Sequence, residues 1–339
     1  MNVRKNLLCI LLGCISTGLF SRAWAQTSPA ASKTDIEYDG VYDDPYDLNK
    51  LWLHFYPLYG DAFKTNFNVG FGGQANYYLK NKFDFRFHVR KTYAAPSDFS
   101  RGLGEKNSVV DNKLSIFKWI EAGATYHIID NADPGDSKII VYTKRYSANK
   151  WASTVPEHIR IPSKVRKIVG VRLGSYFWES ATNLSDALVR QNKVLLNATG
   201  DTLSRSNVYT NIHSTGIYLG GSLARIRNVV VKPKKYDIAV NDIMFTAYAD
   251  LIYAPMLRLD DVKQDGVVFP VNQVKLKNFG FRTGFDGMFN REFGWSYGAE
   301  MGYRPSIQGR GFYAAVKVGF AFASKLQQQR QSFQVDKTE

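Results

Sequence analysis

The sequence predicts an all-β fold, a transmembrane antiparallel β-barrel of about ten strands, or twelve if a basic hairpin insertion also spans. Three observations predict it. Along residues 295–303 and 312–322 every second residue is apolar (Trp295, Tyr297, Ala299, Met301, Tyr303, then Phe312, Ala314, Val316, Val318, Phe320, Phe322), while small or charged residues such as Gly298, Glu300, Gly302, Lys317 and Gly319 fall between them. A period of two belongs to strands. Each run has about the ~9–11 residues that a tilted strand needs to cross a hydrocarbon layer. Finally, no stretch after residue 25 has the ~18 consecutive apolar residues of a spanning helix, and aromatics, 14% of the chain, gather near the ends of candidate strands, where interfacial belts place them.

The chain opens with Arg4 and Lys5, an apolar run over residues 7–20 and Ala23-Trp24-Ala25 before Gln26, the layout of a cleaved secretory signal over 1–25. A second processing option is Leu11-Leu12-Gly13-Cys14, which is similar to a lipoprotein box. Both cysteines, Cys9 and Cys14, lie in the signal, so the processed chain relies on barrel closure or a large core rather than disulfides. Removing Arg4, Lys5 and Arg22 lowers the net charge from +14 to +11. That surplus suits outer-membrane lipid and lipopolysaccharide. Nucleic acid is a poor partner for an exported chain whose basic residues are scattered.

Residues 26–49 read as an acidic, flexible leader (Asp35, Glu37, Asp39, Asp43, Asp44, Asp47) that buries no core. The barrel is placed over 50–324. Its first strand, 51–59, carries Pro57, which puts that residue at a strand end or demotes the strand, and Gly60-Asp61 reads as a turn. Strands follow at 66–79, at 83–90, where Phe83, Phe85, Phe87 and Val89 alternate with Asp84, Arg86, His88 and Arg90, and at 114–129 after a hydrophilic loop at 94–112. Asn131-Ala132-Asp133-Pro134-Gly135 is a turn signal. It opens a basic block, 130–166, read as a non-spanning hairpin insertion on one side. Strands resume at 168–178 and at 208–227, the latter with an apolar parity shift near Thr215-Gly216 of the kind a bulge causes. After further strands at 242–253 and 274–288, with a loop at 255–270 between them, the two segments of the opening paragraph close the barrel, and a polar tail occupies 325–339. Short turns on the periplasmic side and long loops outside put both termini and the basic block in the periplasm.

The signal ending, the cysteine-free processed chain and the Tyr-, Phe- and Gly-rich strands together resemble the outer-membrane β-barrel proteins of Gram-negative bacteria, and the Gln26 start with abundant Tyr, Asn and Lys resembles those of the Bacteroidota. The resemblance implies the cell outer membrane as the location. One departure is that Phe322 is followed by a polar tail, whereas such barrels often end on an aromatic residue. A secreted β-sandwich or lipocalin-like barrel shares the same alternation and stays open as an alternative.

Inward-facing charges recur on neighbouring strands: Asp84, Arg86, His88, Arg90, Glu121, His127, Arg172, Asp250, Arg282, Asp286, Glu300, Arg304 and Lys317. In a narrow lumen such groups must pair or stay wet, which reads as a charge network closing the pore. Lys138, Lys144, Arg145, Lys164, Arg166 and Lys167 of the basic hairpin are candidates for docking a periplasmic or outer-membrane protein, or for pairing with the acidic leader. No HExxH, GxSxG or Cys-His metal spacing occurs in the processed chain, so no catalytic residue, metal or cofactor is expected. The leading expectation is a non-enzymatic accessory or anchoring subunit of a cell-envelope assembly of secretion or motility type. A narrow solute channel is the alternative, and a rim-active hydrolase using His88 is a further one.

Overall fold

The computed structural model describes residues 38–79, 82–147, 150–234 and 238–323, with the backbone alone at 38, 143–147, 150–151 and 157. The signal segment, residues 26–37 of the leader and the tail lie outside the described residues. The strand β1 (Tyr38–Asp43) stands outside the barrel wall. The wall begins with β2 (Leu51–Phe63), β3 (Asn66–Leu79), β4 (Phe83–Thr92), β5 (Lys118–Ser147), β6 (Lys150–Asn183) and β7 (Tyr209–Ile226). Two short strands off the wall, β8 (Val229–Pro233) and β9 (Ala239–Asn241), precede β10 (Ile243–Leu259). Loop strands β11 (Val262–Gln264), β12 (Val267–Phe269) and β13 (Leu276–Lys277) lead to β14 (Phe279–Phe289) and β15 (Phe293–Tyr303), and β16 (Ser306–Ile307) precedes β17 (Phe312–Ala323).

Ten strands close into one barrel, each antiparallel to its chain neighbour in the wall, with β17 pairing back onto β2. This is the strand number expected for a transmembrane barrel, and no helix among the described residues is long and apolar enough to cross a membrane. The outer wall is apolar. Leu173, Leu219, Leu251, Phe285 and Val316 are exposed across its middle. Aromatic rows ring both ends, with Tyr253 against Phe279 at 4.7 Å at one rim, and Phe83 against Tyr126 at 5.1 Å and Phe293 against Phe322 at 5.2 Å at the other. Two such girdles bounding an apolar band are what a bilayer selects.

Several local expectations fail for identifiable reasons. Pro57 stands inside β2, not at its end. The register slips there on both sides, between Tyr56 and Tyr59 against β3 and between Val318 and Phe320 against β17, so a residue without an N–H falls where the ladder is already interrupted. Gly60-Asp61 is strand rather than turn, and the chain reverses only after Phe63. The parity shift near Thr215 reflects no bulge in β7, whose pairing with β6 runs unbroken from Tyr209 to Ile226. It arises because Ile212 points inward into a buried apolar core, while the bulge lies on β10, between Tyr253 and Met256. For the same reason Pro255 is inside a strand and not at the start of a loop. Leu114 and Ile116 precede β5, and Leu114 is buried beneath the loops.

The basic block is a non-spanning hairpin, as expected, but it does not turn at 131–135. It is the continuation of β5 and β6 past the rim: β4 leaves β5 at Tyr126, β7 leaves β6 at Arg166, and the two go on pairing to Ser147 and Lys150. Asp133-Pro134-Gly135 lie opposite Val165, Lys164 and Ser163. Pro134 is tolerated because β5 beyond the rim is paired on one side only. At about 3.3 Å per residue, residues 130–147 form an arm reaching roughly 60 Å. Part of the leader is also ordered. β1 pairs with β8, and β8 with β9, in a three-stranded sheet whose Val229, Val231 and Ala239 pack on Ile139, Val141 and Ile161 of the arm.

Candidate functional site

The interior of the barrel is the best-built polar assembly in the molecule. Strand alternation sends apolar side chains outward and their neighbours into the lumen, where all the charges expected from the sequence are found. Arg282 of β14 donates from both terminal nitrogens to Glu121 of β5 (2.8 and 2.7 Å) and from Nε to Asp250 of β10 (2.7 Å), spanning the lumen. Arg90 donates to Glu300 (2.9 Å), Arg304 to Asp61 (2.6 Å) and Glu300 (3.3 Å), and Arg172 stands 3.1 Å from Asp250. Nearer the arm, Asp286 is held between Arg86 (2.8 Å) and Lys317 (2.7 Å).

Aromatic faces supply the remaining contacts. The Arg304 guanidinium lies 3.6 Å from the Tyr313 ring centre, that of Arg172 4.0 Å from Tyr248, and that of Arg90 4.4 Å from Tyr59. Glycines opposite the bulkiest groups make this possible. A Cβ at Gly220 meets the Asp250 carboxylate, and one at Gly298 meets both Asp286 and Lys317. Desolvating an ion costs several kcal/mol even after relaxation, so a core of this kind is stable only as a fully paired set.

Of the expected lumen residues, Asp84 lies apart from the main network and pairs with His127 at 3.1 Å. His88 sits in mid-lumen between the Tyr56 and Tyr59 rings, and neither of its ring nitrogens has a hydrogen-bond partner among the described residues. It is therefore nowhere near a rim, contrary to the hydrolase expectation. Asp61, fully buried and the principal partner of Arg304, escapes sequence reading because Gly-Asp resembles a turn.

A relay of neutral groups also escapes it. Lys317 Nζ donates to Gln74 Oε1 (2.9 Å), Gln74 Nε2 to Asn76 Oδ1 (3.0 Å), and Asn76 Nδ2 approaches His54 Nε2 at 3.1 Å, with His54 Nδ1 2.9 Å from Ser296 Oγ. Ser-His-Asn is the composition of a nucleophilic triad, but the direction of the bonds is wrong for one. An ammonium only donates, which orients both amides, makes His54 Nε2 the acceptor and leaves Nδ1–H to donate to Ser296. Ser296 thus has no base.

The lumen is crossed at three levels. At the end away from the arm, Phe117, Leu184, Leu188, Leu195, Leu203, Val208 and Ile212 bury one another under the loops. Asp98 latches that cover: it caps the helix Phe99–Asn107, accepting from Arg101 N (3.3 Å), Asn66 Nδ2 (2.7 Å) and Phe117 N (2.8 Å). Burial pushes its carboxyl above the usual range, against the pull of those hydrogen bonds. The ion network closes the middle.

At the arm end the chain itself crosses the mouth. β1 is attached beside β7 through β8, whereas β2 begins on the opposite wall, so residues 44–50 must traverse the opening. Leu48 packs there against a buried apolar cluster of Trp52, Ile168, Ala224, Ile226, Met244 and Ala321. Between this strap and the network remains a cavity of about 60 Å³, lined by His54, Asn76, Arg86, Arg172, Ser222 and Thr246 among others. It has room for several waters.

The arm sorts its basic residues unequally. Lys138 and Lys164 are exposed on one face with Ile140, Tyr142 and Arg160. Lys167 is paired with Asp133 at 2.8 Å. Arg166 is fully buried, bound through two nitrogens to Asp130 (2.6 Å each) and lying 4.5 Å from the Tyr46 ring centre, so it is a structural joint between arm and strap and no docking residue. The Lys144 and Arg145 side chains lie outside the described residues. Asp43 of the leader accepts from the Lys164 backbone N–H (2.7 Å), so leader and arm do meet.

No family model and no curated protein matches the chain. Among solved structures it is similar to the Pseudomonas putida toluene transporter TodX (10% identity, 81% of this chain and 88% of that one, TM-score 0.25). It is similar also to the CymD monoaromatic hydrocarbon channel (7%, 82% and 90%, 0.25) and the Ralstonia pickettii toluene transporter TbuX (8%, 83% and 92%, 0.24). Overlaps this loose carry no argument about activity, and none bears on the narrower likeness to Bacteroidota barrels.

Proposed function

We propose that the chain is an outer-membrane barrel with a sealed lumen that serves as an anchoring or accessory subunit of a cell-envelope assembly, presenting its arm to a protein partner. The observation that carries this reading is the pairing of a closed interior with a long, buttressed projection at one end. A barrel whose bore is filled by matched ions has its only large accessible chemistry outside the wall. Loop lengths favour the periplasm for the arm: apart from the two-residue link between β2 and β3, the connections at the opposite end include three long ones (93–117, 184–208, 260–278), while those between β3 and β4 and between β14 and β15 at the arm end are only three residues each. The arm's exposed face joins Lys138, Arg160 and Lys164 to Ile140 and Tyr142, a composition that suits an acidic partner with an apolar anchor.

Purified protein in planar bilayers is expected to give no steady ion current. A sustained current would overturn the sealed-barrel reading. Reversing Lys138 and Lys164 to glutamate is expected to strip a co-purifying partner, and an unchanged partner set would dismiss the docking role.

The second reading, a solute channel, is favoured by the cavity behind the strap and is what the names of the similar structures describe. Those names specify aromatic hydrocarbons. The cavity here is lined by arginine, aspartate, histidine and amide side chains, so in this chain the cargo would be a small polar solute.

A further inference from the structure

We infer that residues 44–49 form a gate: a strap that lifts from the arm-end mouth and admits small hydrophilic molecules to the polar cavity behind it. The inference goes beyond the anchoring reading and does not rest on it.

The three seals differ in kind. The loop-end cover is an apolar core, and the mid-lumen network is fixed to five or more wall strands. The strap belongs to no strand. Tyr46 lies against Arg166, and two buried asparagines tie the strap to the rim: Asn228 Nδ2 donates to the backbone carbonyls of Asp44 (2.9 Å) and Asp47 (3.0 Å), and Asn290 Nδ2 donates to that of Asp47 (2.9 Å). Asn49 returns two bonds to Asn290 Oδ1, from its backbone N (3.2 Å) and its Nδ2 (3.1 Å). Leu48 is its apolar seat. Neutral hydrogen bonds of this sort are individually weak, and releasing them breaks no rung of the closed ladder.

What lies behind the strap matches an aqueous vestibule. Ser222, Thr246, Asn76 and Asp286 are only half-buried although they are deep in a ten-stranded barrel, because they border the cavity. The two ends of the strap are also attached to different elements. Its start continues from β1, in the sheet that buttresses the arm, and its end enters the wall at β2. A force on the arm therefore reaches the strap through one short strand.

The chain's only cysteines are Cys9 and Cys14, so a C9A/C14A background permits a single reporter. With Ser222→Cys as reporter, the reagent is a small cationic methanethiosulfonate applied to barrel reconstituted in detergent, and the fold is checked by heat-modifiable gel mobility. Thr154→Cys on the exposed arm is the control. With the strap intact, Cys at 222 is expected to react much more slowly than Cys at 154. Asn228→Ala/Asn290→Ala is expected to speed reaction at 222 by about tenfold or more, since losing these bonds shifts a two-state opening by that order. Leu48→Ser, which leaves both asparagines in place, is expected to act in the same direction, with 154 unchanged in each. Reaction at 222 as fast as at 154 with the strap intact, or unchanged by both releases in barrels that keep their mobility shift, would overturn the gate.

Discussion

The strands β5 and β6 pass through two environments, and the difference between their halves shows what alternation does and does not say. Inside the wall, their apolar residues Ile120, Tyr126, Val171 and Leu173 are exposed, and the intervening Glu121, Thr125 and Arg172 are buried. Past the rim the pattern inverts. Ile139, Val141 and Ile161 are buried under β8 and β9, and the exposed face carries Lys138, Arg160 and Lys164. A period of two fixes which residues share a face. Only the surrounding solvent decides which face is outside. One hairpin obeys both rules because it leaves one solvent for the other at about Asp130 and Arg166, where their ion pair marks the crossing.

The largest effect expected from breaking this contrast is in the lumen. Arg282→Ala strips Glu121 of its bound cation and leaves Asp250 with Arg172 alone, and breaking a buried pair costs about 3–5 kcal/mol. The measurement is urea unfolding of the reconstituted barrel followed by heat-modifiable mobility, and a midpoint equal to that of the unsubstituted chain would mean that the network is dispensable. In the arm, Ile161→Ala is expected to lose about 2–4 kcal/mol of local packing. Protease should then cut within 130–166 while the barrel keeps its mobility shift. Joint loss of both would show that arm and wall are one cooperative unit.

A third test moves the same substitution between environments. Leu219→Arg, at mid-wall, is expected to cost about 2–4 kcal/mol in a bilayer, whereas Ile140→Arg on the exposed face of the arm is expected to stay within about 0.5 kcal/mol. Equal costs would erase the distinction between the halves. The smallest effect concerns pH. Burial raises the Asp98 carboxyl, so the folded cover binds a proton more readily than the unfolded chain does. Its contribution is present in full below the ordinary carboxylate range and falls away as pH rises through the raised value. Hydrogen exchange in the helix Phe99–Asn107 should therefore be slower in mild acid relative to neutral pH than it is in Asp98→Asn, after correction for intrinsic rates.

Most of the wall could be read from the sequence because strands such as β4, β14, β15 and β17 hold their parity from rim to rim. The lumen residues followed directly from that parity. What could not be read depends on contacts distant in sequence. Pro57 and Pro255 look like breaks until the bulges that absorb them are seen. Asp61 looks like a turn residue until Arg304, just past the end of β15 and more than two hundred residues later, reaches it. Asp133-Pro134-Gly135 carries a strong turn signal that the pairing partner β6 overrides. The strap had no signature at all, because an acidic, Asp- and Tyr-rich segment looks like solvated leader. Its path across the mouth follows only from where β1 and β2 are attached.

The most direct test is a nitroxide scan through both halves of the hairpin and through β7 in lipid vesicles, reading collisions with dissolved oxygen against those with a water-soluble nickel chelate. Labels at 171, 173, 217 and 219 are predicted to favour oxygen, as lipid-facing sites do, and labels at 138, 140 and 160 to favour nickel. Nickel reaching 173 and 219 as readily as 140 would put the apolar wall in water and contradict the membrane-spanning barrel.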